Sequence, residues 1–406
     1  MMPPDLPSEW SQLGRHWQLR GDTIYLNHGS FGPPPDIVRQ ARRDWIRRLD
    51  EQPMDFFVRQ LEPALRAARA KLAEFVAASP ADLIFVENAT VGMNIVADSF
   101  PLAAGDEVLL TDHEYGAVKR IWQRACEQAG ATLKIVTLPL PFRTADETTA
   151  AIMNAASERT RLIVVSHVTS LTAVILPVQQ ICDAARQRGI AVCIDGPHAP
   201  AQVELNLAKL DCDFYAASCH KWLSAPFGSG FLHVAPHHQS RIRPHVLSWG
   251  RLLPGPIESW SDEFIWSGTR DPAAFLSVPG AIDFLRTTVG LENFRRGSHA
   301  LARYARQVVG QVSSLSQRKQ GQVENLSCVP LVPDDPVWYG SMAHVPLPPG
   351  DKYALQEQLW KRSGIEVPIV EFAGQRYIRV SCHLYNTTEQ IDRLVETLGK
   401  LLREGI

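Results

Sequence analysis

The sequence lacks the features that mark membrane, secreted and nucleic-acid-binding proteins. No apolar run approaches the roughly 20 residues that a membrane-spanning helix needs. The first residues, MMPPDLPSEWSQLGRHW, contain no basic segment followed by an apolar one, so we expect no signal peptide and a cytoplasmic location. The formal net charge is only −2, which gives no bulk attraction to nucleic acid or to an acidic membrane.

Cysteine is scarce and shows no paired spacing. The seven cysteines are an odd number and include no C-x-x-C pair, so we expect a reduced protein whose thiols mostly fill the core. The 13 histidines include the adjacent pair His237 and His238, but no H-E-x-x-H motif and no Cys/His cluster with zinc-ligand spacing. We therefore predict no metal site.

The motifs of several other enzyme classes are also missing. No G-x-x-x-x-G-K-[ST] sequence occurs, and no G-x-G-x-x-G follows a predicted strand, so a nucleotide phosphate loop is not indicated. Ser218 and Lys221 have the S-x-x-K spacing of a serine acylase, but the S-D-N and K-T-G motifs that accompany it are absent. This class of enzyme is therefore disfavoured.

The length and composition are those of an ordinary globular enzyme. The chain has 406 residues, of which 45% are hydrophobic and 21% are charged, enough for one large domain and a smaller one. We predict an N-terminal arm at 1–29 that belongs with the small domain, a large domain at 30–285 and a small α+β domain at 286–406. The small domain begins near the long helical pattern LENFRRGSHALARYARQVVGQVSSL.

Seven short apolar runs predict the strands of the large domain. They are continuous rather than alternating, which is typical of strands buried on both faces. Helical patterns such as GAVKRIWQRACEQAG and VQQICDAARQRG lie between them and end at glycine. This alternation predicts an α/β fold with a mainly parallel sheet and helices on both faces. The runs lie at 83–88, 107–112, 133–138, 161–167, 190–195, 213–218 and 230–235.

Residues that can carry chemistry follow these strands, at the edge where ligands bind in α/β proteins. Asp195 ends an apolar run, where a carboxylate needs a cation or hydrogen-bond donors. Lys221 follows the next run, and a desolvated lysine has a lowered pKa and becomes a nucleophile and base. The two residues form either a structural ion pair or the Schiff-base lysine and separate carboxylate of a pyridoxal 5'-phosphate (PLP) enzyme. The candidates at this edge are Thr90, Tyr115, Ser170, Asp195, His198, Ser218, His220 and Lys221.

Longer strings resemble a known family. DGPHAP and SCHKWLSAPFGSGFL resemble the cofactor site of class V, fold type I PLP enzymes. The strings YLNHGSFGPPP, LLTDHEYGAV, SHVTSLTAVILPV and FIWSGTRDPAAFLSVPGAIDF are similar to those of the isopenicillin N epimerase-like members of that family. The resemblance is dense over about residues 20–290 and returns at RYIRVSCHLYNTTEQIDRLV. It implies a PLP-dependent transferase-like fold and PLP as the cofactor.

The resemblance also implies a role for each residue at the strand ends. Lys221 would form the Schiff base, and Asp195 would pair with the protonated pyridine nitrogen. His198 would contact the phenolic oxygen of the ring, and Ser170 lies near the position of a family asparagine that has the same role. Tyr115 would stack on the ring and act as a second acid. The phosphate would be held by Thr90, Ser218 and His220, together with Thr269 of the partner subunit.

Two further implications concern the substrate and the assembly. Arg379, in IRVS, would grip the α-carboxylate of an amino-acid substrate in a bidentate manner. Asn27 and His28, in LNHGSFG, either line the substrate entrance or only shape a turn. Because Thr269 would reach across to the phosphate of the other subunit, the resemblance implies a homodimer.

The reaction that the resemblance implies takes place at the Cα of an amino acid. Epimerisation through a quinonoid is the first hypothesis, and a C–S lyase or an aminotransferase is the alternative because PLP permits all three reactions. The stretch GIEVPIVEFAGQRYIRVS has no cysteine before Arg379, which disfavours the persulfide chemistry of a cysteine desulfurase. A further hypothesis is that the protein is not an enzyme and that Asp195 and Lys221 form only a structural ion pair.

Overall fold

The structure, a computed structural model, describes residues 4–319 and 329–406. Cys328 lies outside these residues, and the six cysteines within them are free thiols buried in the core. No helix in the described chain is long and apolar enough to cross a membrane.

The described chain contains twelve strands. A seven-stranded central sheet has the order β2-β8-β7-β6-β5-β3-β4, and β8 alone runs antiparallel to its neighbours. Each of the seven apolar runs forms one strand of this sheet, so the predicted mainly parallel α/β fold is confirmed. The strands are β1 (Ile24–Tyr25), β2 (Leu83–Val86), β3 (Glu107–Thr111), β4 (Thr132–Val136), β5 (Thr160–Ser166), β6 (Ala191–Asp195), β7 (Phe214–Ser218), β8 (Gly230–Val234), β9 (Met342–Pro346), β10 (Ile365–Glu366), β11 (Ile369–Phe372) and β12 (Gln375–Ser381).

Fifteen α-helices accompany these strands in the described chain. Short π-helical turns occur at Phe56–Gln60 and Phe284–Val289, and 3₁₀ turns occur at Gly14–His16, Pro80–Asp82 and Trp260–Phe264. The α-helices are α1 (Trp10–Leu13), α2 (Asp36–Glu51), α3 (Pro53–Asp55), α4 (Leu61–Phe75), α5 (Ala89–Ser99), α6 (Gly116–Ala129), α7 (Ala145–Ala155), α8 (Val178–Gln187), α9 (Leu207–Leu210), α10 (Pro236–Gln239), α11 (Ala273–Leu276), α12 (Val278–Asp283), α13 (Leu291–Lys319), α14 (Lys352–Ser363) and α15 (Thr388–Arg403).

Both faces of the central sheet are covered, which explains the continuous apolar runs. Val108 and Leu110 of β3 belong to a core cluster that includes Trp122 of α6. Leu109, between them, belongs to the cluster on the other face, with Ile181 of α8. Since successive side chains of a strand point to opposite faces, every position of such a strand has to be apolar. The sheet is therefore a rigid platform for the residues at its edges.

A second, smaller sheet with the order β11-β12-β9 is antiparallel. The N-terminal segment joins this part of the chain, because β1 pairs in parallel with β10 and Trp10 Nε1 donates to the carbonyl oxygen of Asn386 at 3.1 Å. These contacts join the N-terminal segment to residues 365–386, and the membership of the arm in a small domain stays a prediction. The domain boundaries at 29 and 285 stay predictions.

The packing of Trp10 against α13 gives a test of this docking. A Cβ atom at Gly297 would overlap the indole ring of Trp10, which is buried. We expect Gly297→Ala to destabilise the protein by about 1–3 kcal/mol, the usual effect of overpacking, and to lower the apparent Tm.

Gly310, in the same helix, is the matched control. A Cβ atom there would meet only Val345 Cγ1 at 3.9 Å, so Gly310→Ala should be neutral or stabilising by roughly 0.5–1 kcal/mol through helix propensity. Equal Tm values for the two variants would show that Trp10 does not restrain α13.

Candidate active site

Lys221 lies in the turn between β7 and β8, at the edge of the sheet where the parallel strands end. Its Nζ atom is 3.1 Å from Nε2 of His198. The indole N–H of Trp222 donates to Nδ1 of the same ring at 3.2 Å. Because Nδ1 accepts this bond, the neutral imidazole carries its proton on Nε2 and donates it to the amine. An amine that accepts a hydrogen bond is neutral.

The electrostatics of the two groups agree with this assignment. Burial, and then the positive charge of Arg379, lower the pKa of Lys221, although Asp195 opposes the shift. Burial also lowers the pKa of His198 well below its usual value, and the charge of Lys221 adds to the effect. Lys221 is therefore set up as a base and nucleophile at neutral pH.

Asp195 ends β6 and is buried. Burial, and then the negative charge of Glu114, raise its pKa, while Lys221 lowers it. No side chain of the described residues donates a hydrogen bond to its carboxylate. A buried carboxylate with a raised pKa is suited to a cationic N–H partner.

Glu114 is a buried carboxylate that the sequence analysis did not single out. It accepts hydrogen bonds from Thr111 Oγ1 at 2.6 Å and from Ser166 Oγ at 2.5 Å. Burial raises its pKa, and the two hydroxyls oppose the shift. The available signal was its place directly after a predicted strand, in the string DHEYGA. Its burial beside Asp195 depends on the alignment of β3, β5 and β6, which the string does not show.

The start of α5 meets the Lys221 turn. Ser218 Oγ accepts the N–H of Ala89 at 3.1 Å, and the Asn88 side chain caps the helix through the N–H of Val91. Thr90, at the second position of this 11-residue helix, is exposed. His220 lies on the same turn as Ser218, and burial lowers its pKa to about 4. Hydroxyls beside the positive end of a helix dipole suit a phosphate.

Arg379 is a buried cation whose neighbours are neutral. Its guanidinium donates to the carbonyl oxygen of Ser170, to Ser30 Oγ at 2.8 Å and to Asn27 Oδ1 at 3.3 Å. Burial lowers its pKa to about 10, which leaves it charged at neutral pH. No carboxylate in the described chain forms an ion pair with it, and its buried Nε has no hydrogen-bond partner there. A desolvated arginine without a counter-ion is a binding site for an anion.

Three predicted residues, Asn27, His28 and Ser170, make contacts that the sequence analysis did not describe. Asn27 and Ser170 hold Arg379 in place, and Ser170 does so through its backbone. His28 is fully buried, with Nδ1 2.8 Å from Tyr385 Oη and Nε2 3.0 Å from the Lys221 carbonyl oxygen. Both ring nitrogens are thus occupied, and the geometry of His28 fits support of the lysine turn, not a position at a substrate entrance.

Tyr115 and Thr269, two further predicted site residues, are accessible to solvent. Tyr115 precedes α6 and is half-exposed. Thr269 is exposed, on a loop whose Arg270 pairs with Glu87 just before α5. The stacking of Tyr115 on a cofactor and the contact of Thr269 with a partner subunit stay predictions.

The donor set fits the cofactor that the sequence implies. The Asp195 carboxylate, without a donor from the described chain, suits a protonated pyridine nitrogen. The start of α5, with Thr90, Ser218 and His220, suits the phosphate. The amine of Lys221, held neutral by His198, suits an aldehyde. Each chemical feature of PLP thus has a matching group at this edge of the sheet.

The structure is similar to solved structures of PLP enzymes and desulfurases. A mutant of C-DES with glycine covalently linked to its PLP cofactor has a TM-score of 0.77 at 22% identity, over 97% of this chain and 99% of that one. The apo cysteine desulfurase of Thermococcus onnurineus NA1 has a TM-score of 0.78 at 18% identity, over 99% and 100% of the two chains. These similarities confirm the predicted fold.

Sequence relatives extend over almost the whole chain. The isopenicillin N epimerase of Amycolatopsis lactamdurans is 37% identical over 97% of this chain and 98% of its own length. That of Streptomyces clavuligerus is 36% identical over 98% and 99%. Putative L-cysteine desulfhydrase 1 of Oryza sativa subsp. japonica is 32% identical over 94% and 83%.

The family model described as Aminotransferase class-V matches residues 54–394. This range includes the whole central sheet, the Lys221 turn and Arg379. The chain therefore belongs to the class V aminotransferase family of PLP-dependent enzymes.

Proposed function

We propose that this enzyme acts at the Cα of an α-amino acid and inverts it, as an isopenicillin N epimerase-like enzyme. One observation carries the proposal: a neutral lysine amine, a buried carboxylate and a buried arginine without a counter-ion meet at one edge of the sheet. The arginine is suited to the α-carboxylate of a substrate, and the lysine to the neighbouring Cα proton.

In this proposal, separate side chains hold the pyridine nitrogen, the phenolic oxygen and the phosphate of PLP. Asp195 accepts a hydrogen bond from the protonated pyridine nitrogen, and the charge of Glu114 beside it raises the basicity of that carboxylate. Trp222 keeps the proton of His198 on Nε2, and with PLP bound this N–H would donate its hydrogen bond to the phenolic oxygen in place of the Lys221 amine. Thr90, Ser218 and His220 hold the phosphate. PLP, when bound, accepts the electron pair that Cα leaves when its proton is removed.

Lys221 and Tyr115 are the proposed proton carriers. The Lys221 amine is neutral in its buried setting and takes the Cα proton on its own side. Inversion needs a proton from the opposite side, and Tyr115 at the start of α6 is the proposed donor. Arg379, held by Asn27, Ser30 and the Ser170 carbonyl, fixes the carboxylate so that the Cα–H bond points toward Lys221.

The relatives support epimerisation as the first choice. Two isopenicillin N epimerases share 36% and 37% identity with the chain. A C–S lyase is the second candidate, because a 32% identical relative is a putative L-cysteine desulfhydrase. A persulfide route is not supported, because all six cysteines of the described chain are buried and burial raises the pKa of Cys382, the one next to β12.

Isotope exchange distinguishes the reactions. The purified holoenzyme is incubated with candidate amino acids in D₂O and followed by NMR and chiral chromatography. We expect Cα deuterium incorporation with inversion and without a keto acid. Release of pyruvate from cysteine or cystine would instead favour the lyase. Absence of Cα exchange with every amino acid, in a holoenzyme that binds PLP, would contradict the proposal.

The Trp222–His198 hydrogen bond gives a second test. Trp222→Phe removes the donor to Nδ1, so His198 can adopt the other tautomer, in which Nε2 accepts a hydrogen bond from a protonated Lys221. Loss of one such bond is worth about 1–2 kcal/mol, which corresponds to roughly a five- to thirtyfold lower kcat for Cα exchange. The neutral amine is no longer favoured, so the acid limb of the pH–rate profile should move to higher pH.

Trp122→Phe is the matched control. Trp122 is also fully buried, but its indole N–H has no hydrogen-bond partner in the described chain. The Trp122→Phe variant should be less stable than the wild type, but its pH–rate profile should not change. An identical profile for wild type and Trp222→Phe would contradict the tautomer assignment.

Substitution of Arg379 tests the anion site. Removing one partner of a buried charge pair costs about 2–5 kcal/mol, so Arg379→Gln should lower kcat/KM by roughly 30- to 4,000-fold. Arg379→Lys should recover only part of this loss, because an ammonium cannot form the bidentate contact. The exchange of an amine that lacks the α-carboxylate serves as the control and should change little. An equal loss for both substrates would assign Arg379 to folding.

A further inference from the structure

A second cluster of polar side chains lies at the opposite edge of the central sheet. Asp213 directly precedes β7, and His237 and His238 follow β8 in the short helix α10. Because β7 and β8 are antiparallel, the start of one meets the end of the other, as the bond from the Ala235 N–H to the Asp213 carbonyl oxygen shows. The cluster is thus separated from Lys221 by the length of β7.

The side chains of this cluster converge on one point. Asp213 Oδ1 is 3.0 Å from His237 Nε2 and 2.9 Å from His238 Nε2. The three ligand atoms all lie within 4.8 Å of one another. Ligands at about 2.0–2.2 Å from a tetrahedral zinc ion stand roughly 3.2–3.6 Å apart. Small rotations of the side chains would therefore admit an ion between them.

Neighbouring groups hold the cluster in this arrangement. The second carboxylate oxygen, Asp213 Oδ2, accepts the N–H of Val192 at 2.8 Å. The His238 ring packs against Phe214, with ring centroids 4.6 Å apart. A metal site needs outer contacts of this kind to orient its ligands.

The cluster is also open to an ion from solvent. A cavity of about 410 Å³ adjoins it and is lined by His237, His238 and Asp213 among others. The cation that lines this cavity, Arg186, forms ion pairs with Asp183 at 3.0 Å and Asp211 at 2.9 Å. Its positive charge is thus balanced before a metal ion arrives.

We propose that Asp213, His237 and His238 bind one divalent transition-metal ion of the Zn²⁺, Co²⁺ or Ni²⁺ class. Two imidazole nitrogens and one carboxylate oxygen suit these ions, whereas Mg²⁺ and Ca²⁺ prefer oxygen ligands alone. Water completes the coordination on the side of His237, whose side chain is 67% exposed. The ion joins the start of β7 to the end of β8 and stabilises the fold without a part in the reaction.

This site differs from the sequence prediction of no metal. The adjacent histidines do not match a known metal-ligand spacing, and strands β7 and β8 separate them from Asp213 in the sequence. Only the pairing of β7 with β8 brings the three side chains together.

Zinc titration of the tag-free holoenzyme tests the proposal. Calorimetry with micromolar Zn²⁺ should give one ion per chain, and Zn²⁺ should raise the apparent Tm. His237→Gln and His238→Gln should each weaken binding at least tenfold and abolish the rise in Tm. Because neither residue contacts the proposed active site, Cα exchange should stay at the wild-type rate in His237→Gln.

His245→Gln is the matched control. His245 Nδ1 lies 3.0 Å from Asp98 Oδ2, a histidine–aspartate pair that offers only two ligands. Its removal should leave zinc binding unchanged. Absence of stoichiometric binding in the wild type would overturn the proposal, and so would binding that survives in both His237→Gln and His238→Gln. In either case the three side chains form only hydrogen bonds.

Discussion

The proposed function depends on a lysine that has to remain neutral in the interior of the protein. Burial removes the water that would stabilise an ammonium ion, and the charge of Arg379 acts in the same direction. The hydrogen bond from His198 then favours the neutral amine, but only because Trp222 occupies the other ring nitrogen. The buried ring of His28 also contacts the lysine turn, with Nε2 at 3.0 Å from the Lys221 backbone carbonyl oxygen. The protonation state thus follows from a chain of contacts that starts in the core.

Burying the other charged groups of the site, Asp195, Glu114 and Arg379, costs desolvation free energy, which apolar side chains at these positions would not. Asp195 and Glu114 are both buried, and each disfavours the ionisation of the other. Arg379 has three neutral acceptors in place of a carboxylate. Charges that the fold itself leaves uncompensated are the ones that a bound cation or anion would stabilise. Such departures from structural consistency are expected at functional sites.

The central sheet and its ends could be predicted from the sequence, because they depend on local patterns. Continuous apolar runs located all seven strands of the central sheet, and the residues at or just after the ends of these runs included Asp195 and Lys221. The hydrogen bonds that hold the Arg379 guanidinium could not be predicted from such local patterns. Asn27 reaches Arg379 across 352 positions, and their approach depends on the pairing of β1 with β10 and on the bridge between Asn27 and Ser381. Local periodicity carries no information about such distant contacts.

The antiparallel strand β8 explains how one sheet can carry the two proposed sites at opposite edges. A residue that follows any of the six parallel strands lies at the Lys221 edge. Of the residues that follow a strand of this sheet, only those after β8 lie at the opposite edge, where His237 and His238 meet Asp213 at the start of β7. Strand β7 connects the two edges. Its first residue, Phe214, packs against His238 of the proposed metal cluster, and its last residue, Ser218, accepts a hydrogen bond from the start of α5. An ion at Asp213 can therefore act on the reaction only by restraining β7, so its effect belongs to the stability of the site and not to its chemistry.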